Sequence, residues 1–137
     1  MMAAMLDESR QDELRKKTLR STLRALNTFS ADIEASATIS TDGIMLASVL
    51  SEHTDHDRFG AMCASLLALA DRAAQEIARG TLKQVLIEGD KGVMLLVYAG
   101  RDAVLAVAAR PTVNLGMVFI EARKTAAKVE ETMRGGL

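Results

Sequence analysis

The sequence predicts an α+β fold in which helices cover both faces of a five-stranded antiparallel sheet. Three long segments carry apolar residues at helical spacing, five shorter segments alternate or run apolar as strands do, and turn residues separate the strands. The predicted order is α-β-β-α-β-β-β-α. To bury every apolar face, the second helix must lie on one side of the sheet and the two terminal helices on the other, which gives a three-layer α/β/α sandwich.

Length and composition favour one domain and argue against several classes of function. The chain has 137 residues, a formal net charge of −1 and 3% aromatic residues, and its size suits a single domain over residues 1–137. Nucleic acid is not an expected partner, because binding it needs excess positive charge or stacking rings. The longest apolar run, residues 61–70, is far shorter than the roughly 20 residues of a membrane span, so no membrane insertion is expected.

The single cysteine and the start of the chain indicate a cytoplasmic protein. Cys63 has no partner for an intramolecular disulfide. Residues 1–6 run into Asp7 and Glu8 before any apolar stretch of signal-peptide length. We expect disorder at residues 1–8 and flexibility at residues 135–137.

The first helix is predicted over residues 7–29. Ser9 followed by Asp12 forms an approximate capping box, and acids near the start precede bases, as the helix dipole favours. The apolar residues at helical spacing are Leu14, Leu19, Leu23, Leu26 and Phe29.

Two predicted strands follow, over residues 33–39 and 44–50. They flank a turn that contains Asp42 and Gly43, and an Asp-Gly pair supplies the positive φ angles that tight hairpins demand. We therefore assign Asp42 and Gly43 a structural role in a hairpin turn.

The second helix is predicted over residues 57–79, with Gly80 as its stop. Its middle turns are apolar around most of the circumference, so more than one face must be covered. One interpretation is an isologous dimer that covers the second face. The other is a larger core that buries Leu69 and Ala73 within the monomer, and the periodicity fits both.

Three strands and a final helix complete the chain. The strands are predicted over residues 82–88, 93–98 and 103–108, with the second of them central in the sheet. Thr112 is the expected N-cap of the last helix, and Gly135-Gly136 its stop.

The ordered set of these pieces resembles the roadblock family of dynein light-chain and small-GTPase-regulator domains, which have a profilin-like fold. The resemblance covers most of the chain. The pieces are Ser40-Thr41-Asp42-Gly43-Ile44-Met45-Leu46-Ala47-Ser48, the Ala- and Leu-rich segment 61–70, Gln84-Val85-Leu86-Ile87-Glu88, Gly92 and Asn114-Leu115-Gly116. The resemblance implies a dimer that pairs the second helix and the third strand across a two-fold axis. It also implies binding to small Ras-like GTPases or a scaffolding role.

On this resemblance we predict a non-enzymatic regulatory or scaffolding module, a homodimer that binds and modulates a small Ras-like GTPase. The alternative is an adaptor with no effect on nucleotide turnover. The residues assigned to the dimer interface are Leu66, Leu69, Ala70, Ala73, Ile77, Val85 and Ile87. The residues assigned to the partner site are Arg58, Met62 and Arg72.

No motif indicates an enzyme of its own, a cofactor or a metal site. His53, Asp55, His56 and Asp57 have ligand chemistry, yet acids at a helix start are more often caps. Cys63 lies inside an apolar helix, where a cysteine usually packs as a small hydrophobe. The turn at residues 89–92 has two glycines and a lysine, but it joins two strands and lacks the Walker spacing.

An arginine finger is not expected either, although GTPase-activating proteins often supply one. Helix-face arginines are usually solvated, and the gliding-motility activators that the chain resembles act by reorganising residues of the GTPase. We therefore assign no finger role to Arg20, Arg24, Arg58, Arg72 or Arg79.

Overall fold

The computed structural model describes residues 1–135, and its order of elements is the predicted one. The helices are α1 (Met2–Phe29), α2 (His56–Glu76) and α3 (Leu115–Met133). The strands are β1 (Ile33–Ser40), β2 (Met45–Val49), β3 (Gln84–Gly89), β4 (Gly92–Ala99) and β5 (Ala103–Ala109).

The sheet is antiparallel throughout, with strand order β2-β1-β5-β4-β3. The hairpin β1–β2 and the meander β3–β4–β5 are both confirmed. Strand β4 lies inside the sheet between β5 and β3, as the sequence predicted, and β5 is the middle strand. The two strands are hard to tell apart by pattern, because consecutive residues of each are buried on alternate faces of the sheet.

Two apolar cores confirm the three-layer sandwich. The core on one face joins Leu19 and Leu23 of α1 to Val118 and Val129 of α3. The core on the other face lies under α2 and contains Cys63 and Leu67 of that helix. Tertiary contacts of α2 with the sheet are concentrated on β1 and β2.

Several predicted helix ends are wrong, and each has a local reason. Helix α1 begins at Met2, so Ser9 lies inside it and no side chain caps it. Helix α2 ends at Glu76, because Ala78 takes a left-handed φ of 58° ahead of Gly80. The N-cap of α3 is Asn114 rather than Thr112, and its side chain accepts a hydrogen bond of 3.2 Å from the Met117 backbone N–H.

The C-terminal prediction is only partly covered by the structure. Gly135 follows α3 with a φ of +86°, as a helix stop requires. Gly136 and Leu137 lie outside the described residues.

Two glycines bring helix α2 into contact with the β1–β2 turn. Gly43 has a φ of +96°, whereas Asp42 keeps a negative φ, so only one residue of the predicted pair adopts the left-handed conformation. A Cβ atom on Gly60 of α2 would lie 2.5 Å from the Gly43 carbonyl oxygen. A Cβ atom on Gly43 would lie 3.2 Å from the Ala61 Cα. Neither position has room for a side chain, so this contact sets how closely α2 approaches the hairpin.

We predict that Gly60→Ala lowers the free energy of unfolding by about 1–3 kcal/mol, because the new methyl group meets a backbone atom that cannot turn away. Gly116→Ala is the matched control in α3, where the nearest atom to an added Cβ is the Asn114 Oδ1 at 3.4 Å. Helix propensity should make that control neutral or stabilising by up to about 1 kcal/mol. Urea unfolding measures both. A Gly60→Ala protein as stable as the wild type would contradict the proposed close contact.

Candidate functional site

A row of uncovered side chains runs along α2. These side chains, which we call the α2 strip, are Leu66, Leu69, Ala73 and Ile77. Their spacing of three, four and four residues keeps them on one side of the helix, with Ile77 as its C-cap residue. Leu69 and Ile77 are each 65% exposed, and Leu66 is half-buried against the core beneath the helix.

The strip lies on one side of α2 because the opposite side is fixed to the sheet. Gly60, Cys63 and Leu67 are the buried residues of this helix. Asp55 caps its first turn, where the carboxylate accepts a hydrogen bond of 3.1 Å from the Arg58 backbone N–H. Because these buried residues face the sheet, the α2 strip on the opposite side of the helix faces solvent.

Strand β3 adds a second uncovered feature. Within residues 1–135 it is hydrogen-bonded to β4 only, so its outer edge carries backbone groups without a neighbouring strand from the described part of the chain. Val85 and Ile87 pair with Leu96 and Met94 of β4, which belong to the core beneath α2. The side chains of Val85 and Ile87 therefore lie on the same face of the sheet as α2.

A hydrogen bond holds β3 close to α2. The Leu82 backbone N–H donates to the Asp71 carboxylate over 3.2 Å, which ties the segment before β3 to the last third of the helix. The α2 strip and the exposed apolar side of β3 thus lie on one side of the molecule. We call them together the α2–β3 surface.

The structure places the predicted interface residues in this surface with different exposure. Leu69, Ala73, Ile77 and Ile87 are exposed. Leu66, Ala70 and Val85 are half-buried and border them. The interpretation in which a larger core buries Leu69 and Ala73 within the monomer is wrong, because the chain leaves both exposed.

The residues predicted for a partner site lie along the same helix. Met62 is 62% exposed and extends the apolar strip toward the start of α2. Arg58 and Arg72 are exposed, and neither forms a salt bridge within residues 1–135. Two unpaired cations therefore flank an apolar surface, which is a common composition for the rim of a protein interface.

Sequence reasoning missed Gly60 and Asp71, which position this surface. A glycine inside a helix lowers helix stability and usually has a packing reason, so Gly60 in the sequence could have indicated a close contact of α2. Asp71 gave none, because its partner Leu82 lies eleven residues further along the chain.

The polar cluster at the start of α2 works as a cap. Asp55 uses its carboxylate to cap the helix N-terminus, as the sequence predicted.

Within residues 1–135 no group of three or more His, Cys, Asp or Glu side chains is arranged to hold a metal ion. In the same residues no helix is long and apolar enough to cross a membrane.

Cys63 packs in the core beneath α2, with only 2% of its surface exposed. Burial disfavours the thiolate and raises the pKa of the thiol from about 9 to about 11. Since the thiolate is the reactive form, this cysteine is chemically protected in the folded chain.

We predict that Cys63 in the native protein reacts with a thiol-specific disulfide reagent far more slowly at pH 8 than in the unfolded chain. Stability should also fall as pH rises from about 9 to about 11, because the unfolded thiol ionises first. Reagent absorbance and denaturant unfolding at several pH values measure the two effects. A Cys63→Ala variant supplies the control and should lack this part of the pH dependence. Equal reaction rates for native and unfolded protein would contradict the burial of Cys63.

Comparison with known proteins gives the class of this three-layer fold. The family model described as the Roadblock/LC7 domain matches residues 22–109. Two uncharacterized proteins of Methanocaldococcus jannaschii, MJ1340 and MJ0310, are each 38% identical over 98 residues, which cover 72% of this chain and 85% of theirs. The chain belongs to the Roadblock/LC7 family.

Solved structures agree with this fold. A protein described as MglB with tetrameric arrangement is similar with a TM-score of 0.81 and 16% identity, over 90% of this chain and 93% of that one. Myxococcus xanthus MglB has a TM-score of 0.80 and 16% identity, over 89% and 92%. A Roadblock/LC7 domain from Streptomyces avermitilis has a TM-score of 0.78 and 19% identity, over 84% and 97%.

Proposed function

We propose that this chain is a non-enzymatic regulatory module, a homodimer formed through the α2–β3 surface that binds a small Ras-like GTPase and modulates its nucleotide cycle. The observation that carries the proposal is the exposure of Leu69 on α2 and of Ile77 at its C-cap, beside the open apolar edge of β3. Membership of the Roadblock/LC7 family supports the choice of partner.

A second copy of the chain suits this surface for two physical reasons. The apolar side chains of the strip lie on one side of the helix, so the strip can pack against an identical strip related by a two-fold axis. The open edge of β3 can pair with an identical edge, which satisfies its backbone groups and removes a site of aggregation. The tetrameric arrangement described for one MglB structure supports self-association within this fold.

In this proposal the dimer leaves Arg58, Met62 and Arg72 at the rim for the GTPase. The chain needs no catalytic group, because it acts by binding one nucleotide state of the partner more tightly than the other. The two arginines serve as polar contacts that steer and orient the partner rather than as inserted fingers.

We predict that Leu69→Asp converts the dimer to a monomer, because a carboxylate would then be buried at the centre of the interface. Ile44→Asp is the matched control: Ile44 is also an apolar side chain with 63% exposure, but it follows the β1–β2 turn and lies outside the α2–β3 surface. Size-exclusion chromatography with light scattering should give twice the 14.7 kDa chain mass for wild type and control. A wild-type monomer at micromolar concentration, or equal dissociation of both variants, would contradict this interface.

We predict that the dimer binds one Ras-like GTPase encoded in the same genome, with different affinities for its GDP form and its GTP-analogue form. Arg58→Glu with Arg72→Glu should weaken binding about tenfold or more without dissociating the dimer, as expected for rim contacts that each contribute about 1 kcal/mol. Calorimetric titration measures affinity and phosphate release measures turnover. Equal or absent affinity for both forms would refute switch sensing, and unequal binding without a change in turnover would favour the adaptor role.

A further inference from the structure

The side of the molecule opposite α2 is positively charged, which the net charge of −1 conceals. Residues 14–31, mostly in α1, contain five basic residues and no acidic ones. The four acids of α1 all precede Leu14, in the half of the helix that has no buried residue. The basic half is the part that packs beside α3 on the sheet.

The buried residues of α1 show which of these bases face solvent. Leu19, Leu23 and Leu26 are buried against the sheet, so residues on the other sides of α1 face solvent. The bases on those sides are Lys17, Arg20 and Arg24, all exposed. None of them forms a salt bridge within residues 1–135.

Helix α3 extends the same charged surface. Its buried face contains Ala122 and Val129, and its exposed bases are Arg123, Lys124 and Lys128. Glu121 lies 3.6 Å from Lys124 and partly offsets it. Glu130 and Glu131 near the end of α3 bring its acids to three, equal to its three bases, so the excess of positive charge comes from α1. Exposed apolar side chains lie among these bases, namely Leu14 on α1 and Ile120 on α3. We call this outer side of α1 and α3 the basic face.

Charge of the opposite sign belongs to the other layer. Residues 41–76, which include β2 and α2, hold six acids and two bases. Helices α1 and α3 together hold nine bases and seven acids, so the positive side of the molecule is the second half of α1 with the neighbouring bases of α3. A long-range field of this kind orients a protein toward an extended anionic surface.

We propose that the basic face binds the surface of an anionic lipid bilayer. Two helices packed side by side offer a broad face with dispersed cations and scattered apolar side chains, the composition of peripheral membrane-binding helices. A nucleic acid would be expected to use aromatic stacking platforms or a much more basic chain, and both are lacking in the composition. The basic face is separate from the α2–β3 surface, so this binding stands independently of the GTPase proposal.

The test is co-sedimentation of the full chain with vesicles of phosphatidylcholine alone and with vesicles containing 30% phosphatidylglycerol. We expect binding to the anionic vesicles only, and a sharp loss of it between 50 and 300 mM salt, because the attraction is electrostatic. Arg20→Glu with Arg24→Glu should lower partitioning by about thirtyfold or more, since each base near the surface contributes about a fivefold effect.

The matched control is Arg79→Glu with Lys83→Glu. It changes the net charge by the same amount, at exposed positions between α2 and β3. This variant should keep most of its vesicle binding, and circular dichroism should show both doubles folded. Binding to neutral vesicles as well, no binding to anionic vesicles, or equal losses in the two doubles would overturn the proposal. So would exclusive binding of the basic face to an acidic protein or to nucleic acid.

Discussion

The contact between Gly43 and Gly60 is the constraint on which the functional surface depends. It lets α2 approach the β1–β2 turn to a distance that no side chain would permit. This places Cys63 and Leu67 in the core and turns the α2 strip outward. A helix held further from the hairpin would lose that core, and its apolar positions would no longer divide into a buried set and an exposed set.

The molecule divides its tasks between the two layers that cover its sheet. On one side a single helix, α2, leaves an apolar strip and an open strand edge uncovered, which suits pairing with protein. On the other side α1 and α3 pack together and present cations. Because the sheet separates the two layers, the proposed dimer contact and the proposed lipid contact do not compete for the same residues.

The site was only partly predictable, and the reasons differ from residue to residue. Leu69 and Ile77 could be assigned to an interface only with the family resemblance, because their helical spacing by itself fits a larger core equally well. The sequence predicts that each base of α1 is solvated. It does not predict a shared basic face, because the residue pattern of one helix does not show that α3 packs beside it and adds further cations. The role of Asp71 could not be predicted, since its hydrogen bond to Leu82 depends on the path of the chain between α2 and β3.

The sequence by itself determined the number, type and order of the helices and strands, because hydrophobic periodicity and turn residues are local properties. It also left two interpretations of the apolar second helix, a larger core or a second surface. Only the tertiary structure decided between them, since the exposure of Leu69 and Ala73 depends on where α2 crosses the sheet. The strand order and the central place of β5 were likewise decided by packing, because pairing between distant strands leaves no signal in either strand alone.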